Sequence, residues 1–290
     1  MRVGEIVLLL ALAALAAFAV ANPASVPLAT RSSLVTVALL FAVAALALGE
    51  GQEGWRYWLK ELLPVPVVPY IFLNLGRLIP LINPNTYDAE LEALDRRLLG
   101  PETQAALYAI PLPTWFAEVL TLAYSTFFFL AIALVVTLAA RRDPFLPRAT
   151  AAVIVKFIVS YAGYFVVPAY GPRATVAQER YATLPPGLVG EKVRDLLDHW
   201  EKTKTDAFPS GHTMVTLAVL LFARRRVRGL YNAILPVGAL LIAATVLLTY
   251  HWVVDVLAAP PLLAAALAFA RAIDGRIPAV ATTPRQTSPS

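Results

Sequence analysis

Two short stretches of the chain carry residue types that can together transfer a phosphoryl group. The first, DAFPSGHT at 206–213, places Ser210, Gly211 and His212 where a charged segment meets an apolar run. The second, YHWVVDVLAA at 250–259, places His251 and Asp255 at a similar boundary. The chain has three histidines, and these two stretches contain two of them.

The second stretch has the spacing of an oriented imidazole. Asp255 follows His251 by four residues, which puts both side chains on one face of a helix. A carboxylate bonded to one ring nitrogen fixes the tautomer and leaves the other nitrogen free as base or nucleophile. His212 could then donate a proton to a leaving oxygen. The third histidine, His199, lies in a charged segment, where we expect it to be solvated.

The first stretch supplies groups that bind an anion. Ser210 and Gly211 begin a helix, where unpaired backbone N–H groups and the helix dipole favour negative charge. Arg173, in VPAYGPR at 167–173, can bind phosphate oxygens through two hydrogen bonds. An anion cradle, an oriented imidazole and a separate acid together predict a phosphoryl-transfer site. The histidines and carboxylates lack the close spacing of metal ligands, so we expect neither metal nor cofactor.

The composition indicates which kind of protein positions these residues. Hydrophobic residues make up 59% of the 290-residue chain and charged residues 15%, against about 25% charged in soluble proteins. Several apolar runs are long enough to cross a bilayer. The net charge of +5 comes with arginines in short loops between apolar runs, which is typical of membrane orientation and not of nucleic-acid binding. We therefore predict an all-α, polytopic transmembrane helical bundle.

Eight apolar runs are candidate spans. The third is broken by four prolines, and between the third and fourth lies DAELEALDRRLL (88–99), which we interpret as an amphipathic helix at the membrane interface with Leu91, Leu94 and Leu98 on its apolar face. The polar, Pro-rich tail is predicted to be disordered. The eight runs are Glu5–Ala21, Leu34–Leu48, Leu62–Ile82, Trp115–Ala140, Ala149–Val167, Pro209–Ala223, Ala233–Tyr250 and Trp252–Ala270.

The loop charges predict the orientation. RRDPFLPR (141–148) and RRRVR (224–228) together carry seven arginines and one aspartate, and two spans separate them, so both are expected in the cytoplasm. Eight spans place both termini there as well. A helix of 18 residues covers roughly 27 Å, about one hydrocarbon thickness. Arg173, His212 and His251 should therefore meet at the outer face.

Both stretches match motifs of a known enzyme family. PSGH (209–212) and the HxxxD pattern in HWVVD (251–255) resemble the second and third motifs of the type-2 phosphatidic acid phosphatase superfamily, and the similarity covers roughly residues 149–270. The resemblance implies a six-helix phosphatase core with extra helices before it. It also implies that His251 is a nucleophile forming phosphohistidine, Asp255 orients it, His212 is the general acid, and Ser210 with Gly211 binds phosphate.

The chain departs from the lipid phosphatases at three cradle positions. Ala244 and Thr245 stand where those enzymes have a Ser-Arg pair, and Val166 stands where they have a lysine. One arginine and one lysine of the phosphate cradle are therefore missing.

A second branch of the superfamily is more similar in motif pattern. The sphingomyelin synthase and inositol-phosphorylceramide synthase branch resembles this chain in HWVVDVLAA, in Asp206 four residues before Ser210, and in AYGPR with Tyr170. This resemblance implies that Asp206 and Tyr170 contact substrate.

These observations lead to one expected function and three alternatives. We expect a phosphatase or phosphotransferase that acts on a membrane lipid at the outer face, with transfer of an inositol-phosphoryl or other phospho-headgroup to an alcohol or polyol favoured. The alternatives are a plain phosphatase of phosphatidate or isoprenyl pyrophosphate, a transporter, and a scaffold with a degenerate site. A transporter is disfavoured because the polar residues cluster at one end and not at the bilayer midplane.

The chain is predicted to consist of three parts. Residues 1–114 form N-terminal transmembrane helices and the interfacial helix, residues 115–274 form the catalytic core, and residues 275–290 form the disordered tail.

Overall fold

The fold of the chain is a bundle of α-helices, described by a computed structural model for residues 1–50, 53–200 and 202–275. A single isolated bridge, between Ala169 and Asp206, is the β-type pairing within these ranges. The all-α class predicted from the sequence is confirmed, and the predicted tail beyond Gly275 lies outside the described residues. The helices are α1 Val3–Ala21, α2 Leu28–Leu48, α3 Gly54–Leu62, α4 Val67–Ile82, α5 Asp88–Leu99, α6 Pro101–Ala109, α7 Thr114–Ser125, α8 Phe127–Ala140, α9 Leu146–Val166, α10 Gln178–Ala182, α11 Gly190–Trp200, α12 Gly211–Arg226, α13 Arg228–Leu247 and α14 Val253–Ile273.

Helix α9 is the centre of the bundle. One side of it packs with α8, α12, α13 and α14 around a core that includes Ala152, Val215 and Leu263. The other side packs with α1 and α4 around Leu12, Leu75 and Ile154. Small residues on α9 and α14 let the two helices approach closely. In a membrane the hydrophobic effect does not drive helices together, because lipid tails are as apolar as the side chains, and close van der Waals packing takes its place.

The observed spans differ in number from the eight expected. Within the described ranges, six segments are long and apolar enough to cross a membrane: α1, α2, the α3–α4 segment, α9, α13 and α14. The pair α6–α7, bent by 95°, makes a seventh if counted as one broken span. Helices α8 and α12 were expected to belong to spans but have 14 and 16 residues.

The predicted span Trp115–Ala140 is interrupted in its middle. Helix α7 ends at Ser125 and α8 starts at Phe127. The hydroxyl of Ser125 donates to the Leu122 carbonyl at 2.8 Å, and that of Thr126 donates to the Ala123 carbonyl at 2.6 Å. Hydroxyls that bond backbone carbonyls compete with the helical ladder, so the break follows from two adjacent hydroxyl residues.

The two arginine-rich loops lie at the same end of the bundle. The Arg226 guanidinium contacts both carboxylate oxygens of Asp143, at 2.6 and 3.1 Å. Helix α9 leaves this end, and α12 returns to it from the opposite end, where Gly211 begins. The loops joining these helices at the opposite end carry the predicted site residues.

Helix α5 forms where the sequence predicted a helix. Leu94 and Leu98 are 42% and 56% exposed, whereas Leu91 is buried against the rest of the protein. The acidic residues Asp88 and Asp95 are also buried. These three buried positions recur at helical spacing, so α5 turns an acidic stripe toward the protein because the loops beneath it offer backbone N–H donors.

Candidate active site

The three predicted loops converge at one end of the bundle. Nε2 of His251 lies 3.3 Å from Nδ1 of His212, although the two residues are 39 positions apart. Both histidines are almost fully buried, and their rings meet edge to face with centroids 5.4 Å apart. The backbone N–H of Arg173 donates to the Thr249 carbonyl at 2.8 Å. The sequence argument that placed these residues together therefore agrees with their positions in the fold.

A backbone carbonyl holds the His251 ring. Nδ1 lies 2.7 Å from the carbonyl oxygen of Ala207, so it carries the proton and donates. The Nε2 lone pair then faces His212. The sequence could not indicate this partner, because every residue type has a backbone carbonyl.

Asp255 lies beside the same ring nitrogen and also accepts a backbone hydrogen bond. Its Oδ2 is 3.5 Å from Nδ1 of His251 and accepts a hydrogen bond from the backbone N–H of Trp252 at 2.8 Å. The carboxylate therefore caps the first turn of α14 and adds negative charge behind the imidazole. Its other oxygen, Oδ1, is buried without a hydrogen-bond partner among the described residues.

Ser210 and Gly211 form the start of α12, as predicted. The Ser210 hydroxyl oxygen accepts a hydrogen bond from the Thr213 backbone N–H at 3.3 Å and so caps the helix. A Cβ on Gly211 would collide with the Tyr164 hydroxyl, so only glycine allows this close packing. The helix N-terminus is therefore fixed beside the two imidazoles.

Stacked aromatic rings form one wall of the site. His212 stacks on Tyr124 with centroids 4.4 Å apart, and Tyr124 stacks on Tyr250 at the same distance. Phe127 lies 4.1 Å from His212, and the Arg173 guanidinium lies 4.5 Å from the centre of the Tyr250 ring. These contacts fix the His212 ring plane and place the arginine charge next to the histidine turn.

The loop 169–208 covers this wall and is more than a connector. Its helix α11 packs on α7, and Leu184 and Leu197 join a buried cluster with Tyr124 and Tyr250. The backbone N–H groups of Leu188 and Val189 donate to the Glu118 carboxylate. His199 on α11 is exposed, as expected for a solvated histidine.

The two residues expected to contact substrate take different positions. Asp206 is buried, and the charges of Arg173 and His251 act on its carboxyl group. Tyr170 is 41% exposed at the rim, and its backbone N–H donates to Asp88 at 2.9 Å. Asp206 therefore belongs to the floor of the site and Tyr170 to its edge.

Burial sets the protonation of the groups in the loops. It lowers the pKa of His251 to about 4, with Asp206 and the Ala207 hydrogen bond acting in the opposite direction. Burial also raises the pKa of Asp206, while Arg173 and His251 lower it. His251 is therefore a neutral imidazole at physiological pH, which is the form a nucleophile requires.

Two carboxylates of α5 hold the loops in place and were missed by sequence reasoning. Asp88 accepts from the backbone N–H groups of Tyr170 and Gly171 at 2.9 and 2.8 Å. Asp95 accepts from those of Val253 and Val254 at 2.9 and 2.7 Å, directly after His251. The signal was present as two acids seven residues apart, hence on one helix face, but their types and spacing do not indicate which backbone groups they bind.

Among residues 1–50, 53–200 and 202–275, no three or more histidine, aspartate or glutamate side chains lie together as a metal site would require.

Comparison with known families assigns the chain. The model of the PAP2 superfamily matches residues 89–269, more than half of the 290 residues, and its span includes all of α5 after Asp88, together with His212, His251 and Asp255. Comparison with curated proteins and with solved structures gave no match. The phosphatidic acid phosphatase resemblance is thereby confirmed at the level of the superfamily, and the chain belongs to the PAP2 superfamily of membrane phosphatases and phosphotransferases.

Proposed function

We propose that this protein removes a phosphate or phospho-headgroup from a membrane lipid and transfers it to a hydroxyl acceptor, through a phosphohistidine on His251. The observation that carries the proposal is the His251 ring: its Nδ1 proton is held by the Ala207 carbonyl at 2.7 Å, and its Nε2 lone pair faces His212. Such an imidazole is oriented and uncharged, as a nucleophile must be.

The reaction would proceed in two displacements. Nε2 of His251 attacks phosphorus and the bond from phosphorus to the leaving oxygen breaks. His212, protonated to the imidazolium as the anionic phosphate binds, gives that oxygen a proton and becomes neutral. An acceptor hydroxyl then attacks the phosphohistidine, His212 takes its proton, and the P–N bond breaks. A phosphoryl group between the two rings needs more than their present separation of 3.3 Å, so substrate entry must part them.

The phosphate would be bound by backbone and side-chain donors. The N-terminus of α12 offers N–H groups and a positive dipole end at Gly211 and His212, and Ser210 lies beside them. Arg173 supplies a permanent positive charge from the opposite loop. Asp255 supports the imidazole that becomes positively charged during transfer. Because these groups provide the charge, we propose that turnover needs no divalent metal.

Transfer to an alcohol is favoured over hydrolysis because the site is closed to solvent. His212 and His251 are 7% and 3% exposed, and α11 with its aromatic cluster covers them. A site that excludes water protects a reactive phosphohistidine until a positioned acceptor arrives. The transferred group we favour is an inositol-phosphoryl or another phospho-headgroup, and the acceptor class is an alcohol or polyol. Plain lipid phosphate hydrolysis is the alternative.

We also propose that the site faces the exterior or periplasm. The arginine-rich loops lie together at the opposite end of the bundle, joined by Arg226 and Asp143, and such loops remain in the cytoplasm.

The test is a trapping experiment with labelled lipid. Purified protein is incubated with a phospholipid labelled at phosphorus, with and without inositol, and the protein is isolated by precipitation in base, where phosphohistidine survives. We expect label on wild-type protein and on His199→Ala, no label on His251→Ala, and loss of label with labelled product when the acceptor is added. Equal labelling of His251→Ala would overturn the mechanism, and release of inorganic phosphate alone would favour the hydrolase.

A further inference from the structure

A large apolar cavity opens from the candidate site into the helix bundle. It lies between the α3–α4 segment, α8 and α9, and its space, counted together with the open region at its mouth, is about 1010 Å³. Its polar end is bordered by Asp206, Gly211 and His212, and its walls are almost entirely apolar, including Val68, Phe72, Ala131, Ile132, Val135 and Val153. It is therefore continuous with the groups that would bind phosphate.

The length of the cavity matches a lipid chain. On α9 its lining extends from Thr150 to Tyr164, which at 1.5 Å per residue is about 21 Å. Half the hydrocarbon thickness of a bilayer is about 15 Å. A hydrocarbon chain that starts at the site would be enclosed for its full depth in one leaflet.

A buried lysine amino group lies at the junction of the cavity and the site. Lys156, at the middle of α9, is fully buried and lines the cavity. Its Nζ donates to the Gly211 carbonyl at 2.9 Å and lies 3.8 Å from the centre of the Phe157 ring. An ammonium has three donors, and the Gly211 carbonyl is its hydrogen-bond acceptor within the described ranges. A cation at this depth is costly and generally serves a bound substrate or ion.

We propose that this cavity holds a hydrocarbon chain of the lipid substrate, and that the Lys156 ammonium binds an anionic phosphate oxygen where the chain meets the headgroup. The proposal rests on the proposed function, because it names the substrate of that same site as a lipid phosphate ester with a long chain. Arg173 and Lys156 would then hold the phosphate from opposite sides of the α12 N-terminus.

The cavity selects a chain by shape. Moving a hydrocarbon chain from the bilayer into an apolar cavity brings little hydrophobic gain, because lipid tails are as apolar as the lining side chains. The contribution of the cavity is therefore to position the ester and to exclude chains that do not fit.

The first test locates the chain without relying on turnover. The full-length protein in vesicles is irradiated with a photoactivatable lipid phosphate that carries a diazirine at the end of one long chain, and labelled peptides are mapped by mass spectrometry. A neutral lipid alcohol with the same chain is the matched probe. We expect the phosphate probe to label Val135 and Val153, and the neutral probe to label outward-facing residues such as Leu39 and Val43, which are 62% and 64% exposed.

The Lys156→Met variant tests the contribution of the Lys156 charge separately from that of the apolar cavity. We expect it to reduce labelling of Val135 and Val153 by the phosphate probe to the level seen with the neutral probe. Labelling by the phosphate probe that is confined to Leu39, Val43 and other outward-facing residues would overturn the chain site. Undiminished labelling of the cavity in Lys156→Met would overturn the role of the ammonium.

The second test compares two substitutions on α8. Ala131 lines the cavity, whereas Val136 is 37% exposed on the outer face of the same helix. Each is replaced by Phe, and kcat/KM is measured for a long-chain lipid phosphate and for a water-soluble aryl phosphate. We expect Ala131→Phe to lower the ratio of lipid to aryl phosphate turnover by about tenfold or more, a loss of about 1.4 kcal/mol, and Val136→Phe to leave both rates unchanged.

The two proposals fail in different ways. An unchanged ratio in Ala131→Phe, with both substrates turned over, would overturn the cavity assignment and leave the proposed function standing. If the wild-type protein turned over neither substrate, the proposed function would fail, and the photolabelling pattern would still decide the chain site.

Discussion

The hydrogen bonds of Asp95 lead to the sharpest prediction about the site. This fully buried carboxylate accepts from the backbone N–H groups of Val253 and Val254 and from the Tyr108 hydroxyl at 2.7 Å. Val253 is the first residue of α14 and follows His251 by two positions. The perturbation is Asp95→Asn, which keeps the size of the side chain and replaces one acceptor oxygen with a donor.

The expected magnitude follows from the number of acceptors. Asn offers one oxygen to two backbone N–H groups, so one of them stays buried without a partner, at about 1–3 kcal/mol. Loss of the negative charge at the start of α14 adds about 0.3–1 kcal/mol. The Tyr108 hydroxyl can rotate to accept from the new amide. Together these changes lower the free energy of unfolding by about 1–4 kcal/mol.

The effect on catalysis should exceed the effect on substrate binding. Asp95 acts as a positioning residue because it holds the turn that carries His251. Displacement of a nucleophile by about 1 Å can reduce the rate on the order of 10²-fold. We expect kcat for phosphoenzyme formation to fall by about 10–100-fold, while KM changes little.

The assay pairs this variant with a control on the same helix. Glu92→Gln removes a solvent-exposed i,i+4 ion pair with Arg96, which is worth about 0.3–0.5 kcal/mol. Single-turnover labelling and thermal inactivation in detergent are measured for wild type, Glu92→Gln and Asp95→Asn. If Asp95→Asn were labelled within twofold of the wild-type rate, the positioning role of α5 would be refuted.

Four further predictions concern the chemistry and the orientation. His251→Ala abolishes turnover and phosphoenzyme, and His212→Ala slows phosphoenzyme formation by about 10²–10⁴-fold, with membrane insertion unchanged in both; near-wild-type turnover by either variant would contradict its assigned role. For a phosphodiester lipid, whose charge is constant over the range tested, the acid limb of kcat/KM is centred near the His251 pKa of about 4, because only neutral imidazole attacks; an acid limb centred near the ordinary histidine value of about 6.5 would show that burial does not control this group. Dialysis against a strong chelator leaves the rate unchanged, and activity that returns only with added metal would refute the metal-free cradle. Single cysteines at Ala182 and Gly229, both exposed, are probed in intact cells with an impermeant thiol reagent: position 182 labels and position 229 does not, and the reverse pattern would place the site inside.

The convergence of the candidate catalytic residues was predictable because membrane topology constrains their positions strongly. His212 begins one helix and His251 follows the next, and a single turn joins the two helices at the other end. Because the rise per residue is known, the two histidines are expected at the same face without any knowledge of packing. Their ring nitrogens are 3.3 Å apart. The boundaries of α9 and α14 also lie within a few residues of the predicted runs, since long apolar segments leave few other choices.

The residues that hold the chemistry in place were not predictable from their types. The Ala207 carbonyl that orients His251 depends on where the loop before α12 runs. Thr249 is another example: it has a φ of 63°, which is rare for a β-branched residue. Its carbonyl accepts from the Arg173 N–H, and the next turn is fixed by the His251 N–H bond to Thr245 at 2.9 Å. Strain of this kind persists only where surrounding contacts determine the backbone, and those contacts are tertiary.

The extent of the family match bears on where substrate selectivity is encoded. The match starts at residue 89, so it includes α5 after Asp88, with Asp95, and all of the candidate catalytic residues. The cavity wall formed by Pro64, Val68 and Phe72 lies before it, in the α3–α4 segment. The phosphoryl-transfer groups and one wall of the proposed chain site therefore belong to different parts of the chain. Substitutions at Val68 or Phe72 should change which chain lengths are accepted while the phosphohistidine chemistry of His251 is retained, because these side chains line the apolar cavity and neither is bonded to the histidine loops.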